Sequence, residues 1–424
     1  MAEAPSLAAV SRIADVVVVG GGPAGAAAAV TLARAGRRVV VVDRARFPRE
    51  KCCGDGLTTG ALRHLAALGL DPAAVPTWQP VDAAVVRSPS GRTVAFPLPP
   101  GPGLYAAVAE RRHLDAALLD LARDAGAEVL EGAALTAARQ DADTVVVEAD
   151  GVGEVVARYA VGADGMWSPL RKALGLATPG YLGEWHAFRQ YVAGTGPEAR
   201  RLWVWFEPDL LPGYAWSFPL PDGRANVGFG IQRGGRVTVR DMKDLWPDLL
   251  ARPHVRAVLG DGARPEATHR AWPIPARVDR ALLAGGRALF AGDAAAATDP
   301  LTGEGIAQAL LTGRLAAEAV LAGGPDDPAA ATAAYERRAR AALVADHRLA
   351  SALSRALRHR KGARAAVRVA GATPWTRRNF ARWLFEDYPR AVLATPRRWH
   401  RGMLTGPGAS FPAPSARIGG CAPD

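Results

Sequence analysis

Residues 51–57 read Lys-Cys-Cys-Gly-Asp-Gly-Leu and place two of the three cysteines of the 424-residue chain side by side. Thiols can bind metals, form disulfides or supply protons. The sequence has no CxxC and no Cys/His grouping with zinc-ligand spacing, and adjacent cysteines bridge only through a strained ring. We therefore expect no metal site and no disulfide framework. Reduced thiols are typical of a cytoplasmic protein, and no secretory signal is apparent.

A glycine-rich turn lies upstream of these cysteines. Gly20, Gly22 and Gly25 form a GxGxxG pattern directly after an apolar run at 16–19, and Asp43 follows 18 residues after the last glycine. Glycines let the backbone approach a pyrophosphate at a helix start, and an acid after the next strand can accept hydrogen bonds from a ribose. The pattern predicts a dinucleotide site, which also includes Pro23, Ala24 and Arg44.

Particular elements must position these groups. The sequence predicts a buried strand at 16–19, a helix to about residue 35 and a second buried strand at 38–42, as in a parallel sheet. The uncharged run 16–33 has the length of a membrane span, but the central glycines and Pro23 exclude such a helix. Further helices are expected at 58–68 and 114–125, and a β-rich aromatic region is expected at 202–231.

Two later segments carry similar glycine and aspartate patterns. They are Val161–Arg171, and Ala291–Ala295 followed by 300–306. With the first fingerprint they resemble the three nucleotide motifs of the FAD-binding flavoproteins that include the aromatic hydroxylases. The resemblance implies that the aspartate of "GD" binds the ribityl chain and that the helix after Pro-x-x-Gly-x-Gly faces the flavin, where its positive end can stabilise negative charge. The cofactor residues it assigns here are Asp164, Gly292, Asp293, Pro300, Gly303, Gly305 and Ile306.

The cysteine segment narrows the family. Residues 47–57 resemble the "FPR-x-K-x-CG-[GDE]-GL" signature of the geranylgeranyl reductase family of FAD-dependent oxidoreductases, and 212–230 resemble its "GY-x-W-x-FP…NVG-x-G" pattern. The resemblance runs from about residue 15 to 330. It implies that a loop near the flavin contains Cys53, Gly54, Asp55 and Gly56, and that Arg111 lies near the cofactor. Cys52 departs from the family pattern.

The aromatic segment predicts where a substrate lies. Tyr214, Trp216 and Phe218 alternate along one strand, and Val227, Phe229 and Ile231 alternate along its hairpin partner. We expect both rows to form an apolar sheet face opposite the flavin, which suits a long apolar substrate. We assign Tyr214, Trp216, Phe218 and Phe229 to substrate binding; the alternative for each aromatic is ordinary core packing.

The reaction expected from the resemblance is reduction of carbon–carbon double bonds in a prenyl chain, either geranylgeranyl or isoprenoid-quinone-like. Reducing an isolated alkene needs a hydride at one carbon and a proton at the other. Cys53, Tyr214 and Trp216 are the predicted catalytic residues, with Cys53 as the proton donor; the alternative for Cys53 is a small buried apolar side chain. Because the sequence has no second GxGxxG, we expect NAD(P)H or a reduced carrier to donate electrons without a dedicated domain.

A flavin monooxygenase that hydroxylates or epoxidises an apolar natural-product intermediate is the alternative function, since it would use the same FAD motifs. The Tyr-x-Trp-x-Phe-Pro strand at 214–219 differs from the Trp-x-Trp-x-Ile-Pro motif of flavin halogenases, so a halogenase is not indicated.

The net charge of +11 is concentrated near the C-terminus. Residues 340–401 contain 15 Lys or Arg and three acids, while the rest of the chain is close to neutral. Such a segment is a solvated helical surface, or it contacts an anionic membrane or a diphosphate. No nucleic-acid-binding motif accompanies it, so we expect no nucleic-acid partner.

The predicted fold class is a Rossmann-like FAD-binding domain of the aromatic-hydroxylase type with a β-sheet substrate domain and a helical C-terminal part. The predicted boundaries assign 1–75, 105–172 and 276–325 to the FAD-binding domain and 76–104 and 173–275 to the substrate domain. They assign 326–405 to a basic helical region and 406–424 to a disordered tail.

Overall fold

The structure, a computed structural model, describes residues 11–101, 103–399, 403, 408 and 409, and in these residues runs of strands are separated by helices and followed by four consecutive helices. The strands are β1 (Arg12–Val19), β2 (Val39–Asp43), β3 (Gly56–Leu57), β4 (Gln79–Val81), β5 (Ala83–Arg87), β6 (Thr93–Pro97), β7 (Ala106–Val108), β8 (Glu128–Glu131), β9 (Leu135–Gln140), β10 (Val145–Ala149), β11 (Gly153–Gly162), β12 (Trp185–Ala193), β13 (Leu202–Trp205), β14 (Ala215–Leu220), β15 (Arg224–Gln232), β16 (Arg264–Pro265), β17 (Arg270–Ile274), β18 (Ala284–Gly285) and β19 (Ala288–Phe290). The helices are α1 (Pro23–Arg34), α2 (Thr59–Ala67), α3 (Arg111–Asp124), α4 (Pro169–Ala173), α5 (Met242–Ala251), α6 (Pro253–Leu259), α7 (Ile306–Gly323), α8 (Pro328–Leu357), α9 (Arg360–Ala370) and α10 (Pro374–Leu384).

The first sheet has the order β18-β19-β11-β1-β2-β8, with β10 and β9 paired beyond β11. Strand β1 runs parallel to β2 and β11, and β8 and β19 extend the parallel part. Its valines are buried on both faces, which explains why these strands read as continuous apolar runs. The predicted strand–helix–strand unit at the N-terminus is therefore confirmed as β1, α1 and β2.

Helices cover one face of this sheet. Helices α1, α3, α7 and α8 share one apolar core with the inward valines of β1 and β2. Helix α7 is long and apolar enough to cross a membrane by length and composition alone, but most of it is buried in this core. Helix α8 begins two residues after the predicted boundary at 326 and adds Tyr335 and Leu343 to the same core. Helix α8 thus continues the nucleotide-binding layer, whereas α9 and α10 pack against β5 and β6 of a second sheet.

A second sheet, ordered β16-β12-β15-β14-β13-β5-β6, lies in the predicted substrate region. Its hairpin pairs Trp216 with Gly228 and Ala215 with Phe229. Directly opposed residues share a sheet face, so Phe229 lies on the face opposite to Trp216. Phe229 is fully buried there and stacks on Trp246 of α5. The expected single apolar face is therefore wrong: the aromatic row of β14 and the apolar row of β15 face opposite sides.

A short third sheet, β3-β7-β4, connects the two larger sheets. Most of the predicted disordered tail lies outside the described residues. Gly408 and Ala409 are described, and they are ordered: the Ala409 amide donates to the Leu104 carbonyl at 2.7 Å. These two residues of the tail are held against the body of the protein.

Candidate active site

One cavity of about 1310 Å³ connects the turn after β1 with the second sheet and the C-terminal helices. It is larger than the roughly 300–1,000 Å³ of a usual small-molecule pocket. The GxGxxG turn lies at one end, the loop with Cys53 and the aromatic row of β14 lie along it, and α8, α9 and α10 form a further wall. The cavity therefore has room for a dinucleotide and a second, apolar ligand.

The turn after β1 can exist only with glycine at two of its positions. A Cβ atom on Gly25 would lie 1.8 Å from the carbonyl oxygen of Gly20, and one on Gly20 would lie 2.3 Å from the carbonyl oxygen of Ala163. Gly22 is different, because a Cβ there would project toward the cavity and approach only the side chains of Arg49, at 3.5 Å, and Arg111, at 3.9 Å. The absence of a side chain at Gly25 thus allows the tight turn itself, and its absence at Gly22 leaves the space that a phosphate would occupy.

Two guanidinium groups lie beside that space. Asp115 is fully buried and accepts from Arg111 at 2.7 and 2.8 Å and from Arg49 at 2.9 Å. Atom Nη1 of Arg49 is buried and has no hydrogen-bond partner among the described residues. A buried donor without a partner is costly, and an anion near Gly22 would satisfy it. These residues fit the pyrophosphate of FAD, and they put Arg111 where the resemblance predicts it.

Asp43 ends β2 and organises the turn from the other side. Its carboxylate accepts from the Gly21 amide at 2.7 Å and from the Ala45 amide at 2.8 Å. It lines the cavity together with the exposed Arg44. The carboxylate is therefore held at the rim where a ribose would lie.

The loop 53–56 is held by a buried polar network around Asp55. Asp55 has a positive φ of 64° and accepts from the Tyr191 hydroxyl and the Asn226 amide, each at 2.7 Å. Burial raises the pKa of Asp55 to about 6, although Arg189 and these donors oppose the shift. Asn226 also donates to the Cys53 carbonyl at 2.8 Å. Asp55 therefore positions the cysteine loop against β15 besides bordering the cavity.

The two cysteines have different surroundings. The Cys53 sulfur accepts from the Asp55 amide at 3.3 Å, and burial raises the pKa of its thiol while Arg111 opposes the shift. Cys53 therefore remains a neutral thiol on the cavity wall. The Cys52 thiol donates to the Arg270 carbonyl at 3.5 Å, and burial raises its pKa to about 11. Both cysteines are free.

The aromatic row of β14 bridges two cofactor loops. Tyr214, Trp216 and Phe218 follow one another at ring distances of 6.1 Å. At one end the Tyr214 hydroxyl donates to the Thr302 carbonyl, beside Gly303. At the other end the Phe218 ring packs so close to Gly54 and Gly56 that a Cβ on either would approach it within 3.3 Å. The row therefore forms a continuous floor between the predicted flavin-facing segments.

The Asp164 carboxylate is hydrogen-bonded within the turn that contains it. Its carboxylate accepts from the Ser168 hydroxyl at 2.7 Å and from the Leu170 amide at 2.8 Å, at the start of α4. Burial raises its pKa to about 6. The side chain borders the cavity, and its hydrogen bonds position the turn that follows β11.

Lys51, which the sequence analysis did not assign to the site, lies beside the aspartate of the "GD" segment. Lys51 lies 3.8 Å from the Asp293 carboxylate and 4.0 Å from the centre of the Trp272 ring. Burial lowers the pKa of this lysine, and Asp293 opposes the shift. Lys51 and Trp272 both line the cavity. Lys51 stands inside the family signature at 47–57, so that motif was the available signal.

A pair of half-buried glutamates, Glu304 and Glu386, was also missed. Oε1 of Glu304 accepts from the Ile306 and Ala307 amides, each at 2.9 Å, so the first two amides of α7 are already bonded. Burial and the neighbouring Glu386 raise the pKa of Glu304 to about 8. These two amides are therefore hydrogen-bonded within the chain, to a carboxyl whose pKa is raised. Glu304 stands within the motif at 300–305, whereas no local signal indicated Glu386.

Most of the predicted site residues share this cavity, but three do not lie on its wall. Gly25 is under the turn, Pro300 is buried behind its loop, and Phe229 is on the other face of the sheet. Residues of α8, α9 and α10 were not predicted to take part. The apolar side chains that form this wall are Leu353, Leu357, Ala363, Val367, Phe380 and Leu384.

Comparisons with known proteins agree with this geometry. A family model described as "FAD binding domain" matches residues 13–347. A menaquinone reductase of Mycobacterium tuberculosis (strain ATCC 25618 / H37Rv) is 38% identical over 325 residues, covering 72% of this chain and 76% of the relative. Digeranylgeranylglycerophospholipid reductase 2 of Methanopyrus kandleri is 34% identical over 312 residues, covering 72% of this chain and 76% of the relative.

Solved structures share the fold. A geranylgeranyl bacteriochlorophyll reductase-like protein of Thermoplasma acidophilum superposes with a TM-score of 0.77 at 21% identity, covering 92% of this chain and 100% of that one. A flavin-dependent brominase superposes with a TM-score of 0.71 at 20% identity, covering 91% and 98%. The predicted fold class is confirmed, and the same fold supports different flavin chemistries.

Proposed function

The chain belongs to the FAD-binding domain family, in the geranylgeranyl reductase group of FAD-dependent oxidoreductases, and from this premise we propose that it reduces carbon–carbon double bonds in a prenyl chain. The relatives are named for a menaquinone and for a digeranylgeranyl lipid, so both are substrates to test. The observation that carries the proposal is the lining of the cavity. The residues of the dinucleotide turn line it together with the aromatic row and with apolar residues of α8–α10 and of the second sheet, which together we call the apolar branch.

The apolar branch suits a linear chain of isoprene units. Its walls are the apolar residues of α8–α10 given above and, from the second sheet, Val86, Leu202, Val204 and Phe206. Burying apolar chain there contributes roughly 25 cal/mol per Å². The branch offers few polar anchors, so the length of apolar contact would position the double bond beside the aromatic row.

FAD, when bound and reduced, supplies the hydride. The residues of the chain must hold the alkene in place, exclude water and deliver a proton to the second carbon. The Cys53 thiol lies on the wall that the loop 53–56 presents, and its raised pKa keeps it protonated. We propose that Cys53 Sγ gives this proton, while Tyr214 and Trp216 hold the chain against the floor.

The electron donor is NAD(P)H or a reduced carrier protein, in keeping with a sequence that has one dinucleotide fingerprint. We infer that the protein works in the cytoplasm and is peripheral to the inner membrane face, because a prenyl lipid of the proposed kind resides in a bilayer. Co-fractionation of the full chain with membranes, reversed by high salt, is the expected result.

Anaerobic single turnover tests the proposed reaction. The photoreduced holoenzyme is mixed, without oxygen, with menaquinone or with a digeranylgeranyl lipid in detergent, and flavin absorbance and product mass are followed. We expect flavin reoxidation together with a mass gain of two hydrogens per double bond, measured for menaquinone after its ring has been reoxidised to the quinone. A product that forms only with oxygen and gains one oxygen atom would identify a monooxygenase instead. If neither substrate gives a reduced or an oxygenated product, both substrates are rejected.

A further inference from the structure

We propose that an anionic membrane surface docks on α9 and the start of α10, and that the prenyl substrate enters the cavity through an opening in this surface. The proposal rests on the proposed function for the identity of the lipid. Its docking part rests on exposure and charge alone, so the two can fail separately. Three observations carry it: an exposed apolar mouth, a run of exposed cations without acids on the other flank of the same helix, and exposed large apolar side chains.

The mouth lies where cavity wall and molecular surface coincide. Ala356 at the end of α8 and Ala366 and Val369 of α9 line the cavity and are also exposed to solvent. Ala366 and Val369 share one helical face with Gly362, since the three stand at i, i+4 and i+7. Ala363, Val367 and Ala370, on the inner side of α9, are buried. Helix α9 therefore forms one edge of an apolar opening.

Exposed cations lie on the flank of α9 opposite to the one that carries residues 362, 366 and 369. Arg360, Lys361, Arg364 and Arg368 are exposed on α9, and Arg378 is exposed on α10. Residues 360–384 contain no Asp or Glu. Lys361, Arg364, Arg368 and Arg378 make no ion pair with an acid among the described residues. An anionic lipid surface attracts such cations by roughly 1 kcal/mol each.

Apolar side chains project from the same surface. Val369 is 67% exposed, and Trp375, at the start of α10, is 70% exposed. Trp399, farther along the chain, is 54% exposed. A basic helix with exposed tryptophan and aliphatic groups is typical of proteins that lie in a membrane interface. A nucleic acid would use the cations but would leave the apolar mouth without a ligand.

Vesicle binding tests the docking surface. Full-length holoenzyme is floated with vesicles of phosphatidylcholine alone or with 30% phosphatidylglycerol, a composition chosen to span neutral and anionic surfaces. We expect binding to the anionic vesicles to be at least tenfold tighter and to weaken with salt. The double variant Arg364→Glu/Arg368→Glu should lose at least tenfold of this binding. Its control, Arg37→Glu/Arg240→Glu, makes the same charge change at exposed sites elsewhere and should bind as the wild type does.

A narrowed mouth tests the entry route. We expect Ala366→Trp to slow turnover of a vesicle-embedded prenyl lipid at least tenfold, with FAD content and thermal stability unchanged. Equal rates for this variant and the wild type would overturn the route. The docking surface would be overturned by equal binding to both vesicle types, or by a charge-reversed variant that binds as before. Binding of a polynucleotide but not of vesicles would also overturn it. If no prenyl lipid is reduced in detergent either, the proposed function fails, while vesicle binding still decides the docking.

Discussion

Two groups on the cavity wall stay protonated at neutral pH for different reasons. Cys53 is a half-buried thiol whose ionisation is opposed by desolvation, and Glu304 is a carboxyl whose ionisation is opposed by desolvation and by Glu386. The thiol is on the loop that carries the family signature. Glu304 covers the start of α7, where a carboxylate would cancel the positive end of the helix and a neutral carboxyl would not. We assign proton delivery to Cys53 and charge neutrality of the loop to Glu304.

Replacing Cys53 with alanine removes the proposed proton donor without adding bulk. We expect anaerobic single turnover to slow by about 10²-fold, the usual lower range for a lost general acid, with FAD still bound. Cys52→Ala is the matched control and should react within about twofold of the wild type, since its thiol is bonded to the Arg270 carbonyl. An unchanged rate in Cys53→Ala would remove this thiol from the reaction.

Glu304→Gln tests the protonated carboxyl. The folded-state pKa of about 8 lies above the ordinary value of 4.5, so the folded protein binds this proton more tightly than the unfolded chain. The stability it contributes is complete below about pH 4.5 and is lost as the pH rises through about 8. We therefore expect the melting temperature of the wild type to fall between pH 5 and 8 more steeply than that of Glu304→Gln.

We expect the activity of the wild type to fall above pH 8, where Glu304 ionises. The amide of Glu304→Gln imitates the neutral carboxyl, so the activity of this variant should be within about threefold of the wild type at pH 7 and should not show that fall. Glu148→Gln, at an exposed position of β10, is the control and should leave both pH profiles unchanged. Identical melting profiles for Glu304→Gln and the wild type would mean that this carboxyl ionises normally.

At the scale of elements, the turn after β1 contains glycines with two different roles. Gly25→Ala would drive a methyl group into the Gly20 carbonyl, so we expect a large loss of thermal stability as well as of FAD. Gly22→Ala places its methyl group in the space left for phosphate, where it meets only the ends of the Arg49 and Arg111 side chains, at ordinary contact distances. We expect it to weaken FAD binding at least tenfold, measured by flavin fluorescence, while the apoprotein melts as before. Equal effects of both substitutions on the apoprotein would contradict this division.

The two faces of the β14–β15 hairpin should respond differently to truncation. Phe229 is fully buried against Trp246, so Phe229→Ala should cost about 3–5 kcal/mol of unfolding free energy and leave the KM of the folded fraction unchanged. Phe218 is half-buried and lines the cavity. Phe218→Ala should instead raise the KM for a prenyl substrate with a smaller loss of stability. Denaturant unfolding and steady-state kinetics of both variants distinguish the faces.

At the scale of the whole molecule, the C-terminal helices and the nucleotide layer form one structure. Tyr335 of α8 donates to the Phe290 carbonyl of β19, and Arg390 pairs with Asp299 and Glu386, each at 3.2 Å. Asp299 in turn accepts from the Thr302 amide at 2.8 Å. The C-terminal region therefore supports the loop that lies beside the aromatic row.

This arrangement predicts one cooperative transition. Flavin release, followed by fluorescence, and loss of helix, followed by circular dichroism, should coincide on heating the holoenzyme, because no described part of α8 folds on a core of its own. Added FAD should raise the common midpoint, as expected for a ligand of the folded state. An earlier loss of helical signal with the flavin retained would show that the C-terminal helices unfold separately.

The sequence alone determined the dinucleotide turn, the order of the three FAD motifs and the cysteine loop, because each is a local pattern in which residue type and spacing reflect one backbone conformation. It also identified the aromatic row of β14, since alternation within a single strand is local. These are the parts in which neighbours along the chain are neighbours in space.

Tertiary structure decided the rest. The position of Phe229 depends on the register between β14 and β15, and a shift of one residue would reverse the faces. The pairing of Glu304 with Glu386 joins residues 82 positions apart, and the mouth at α9 depends on where that helix packs against the cavity. No local pattern encodes these distances, because they arise only when burial of the shared apolar core brings distant segments together.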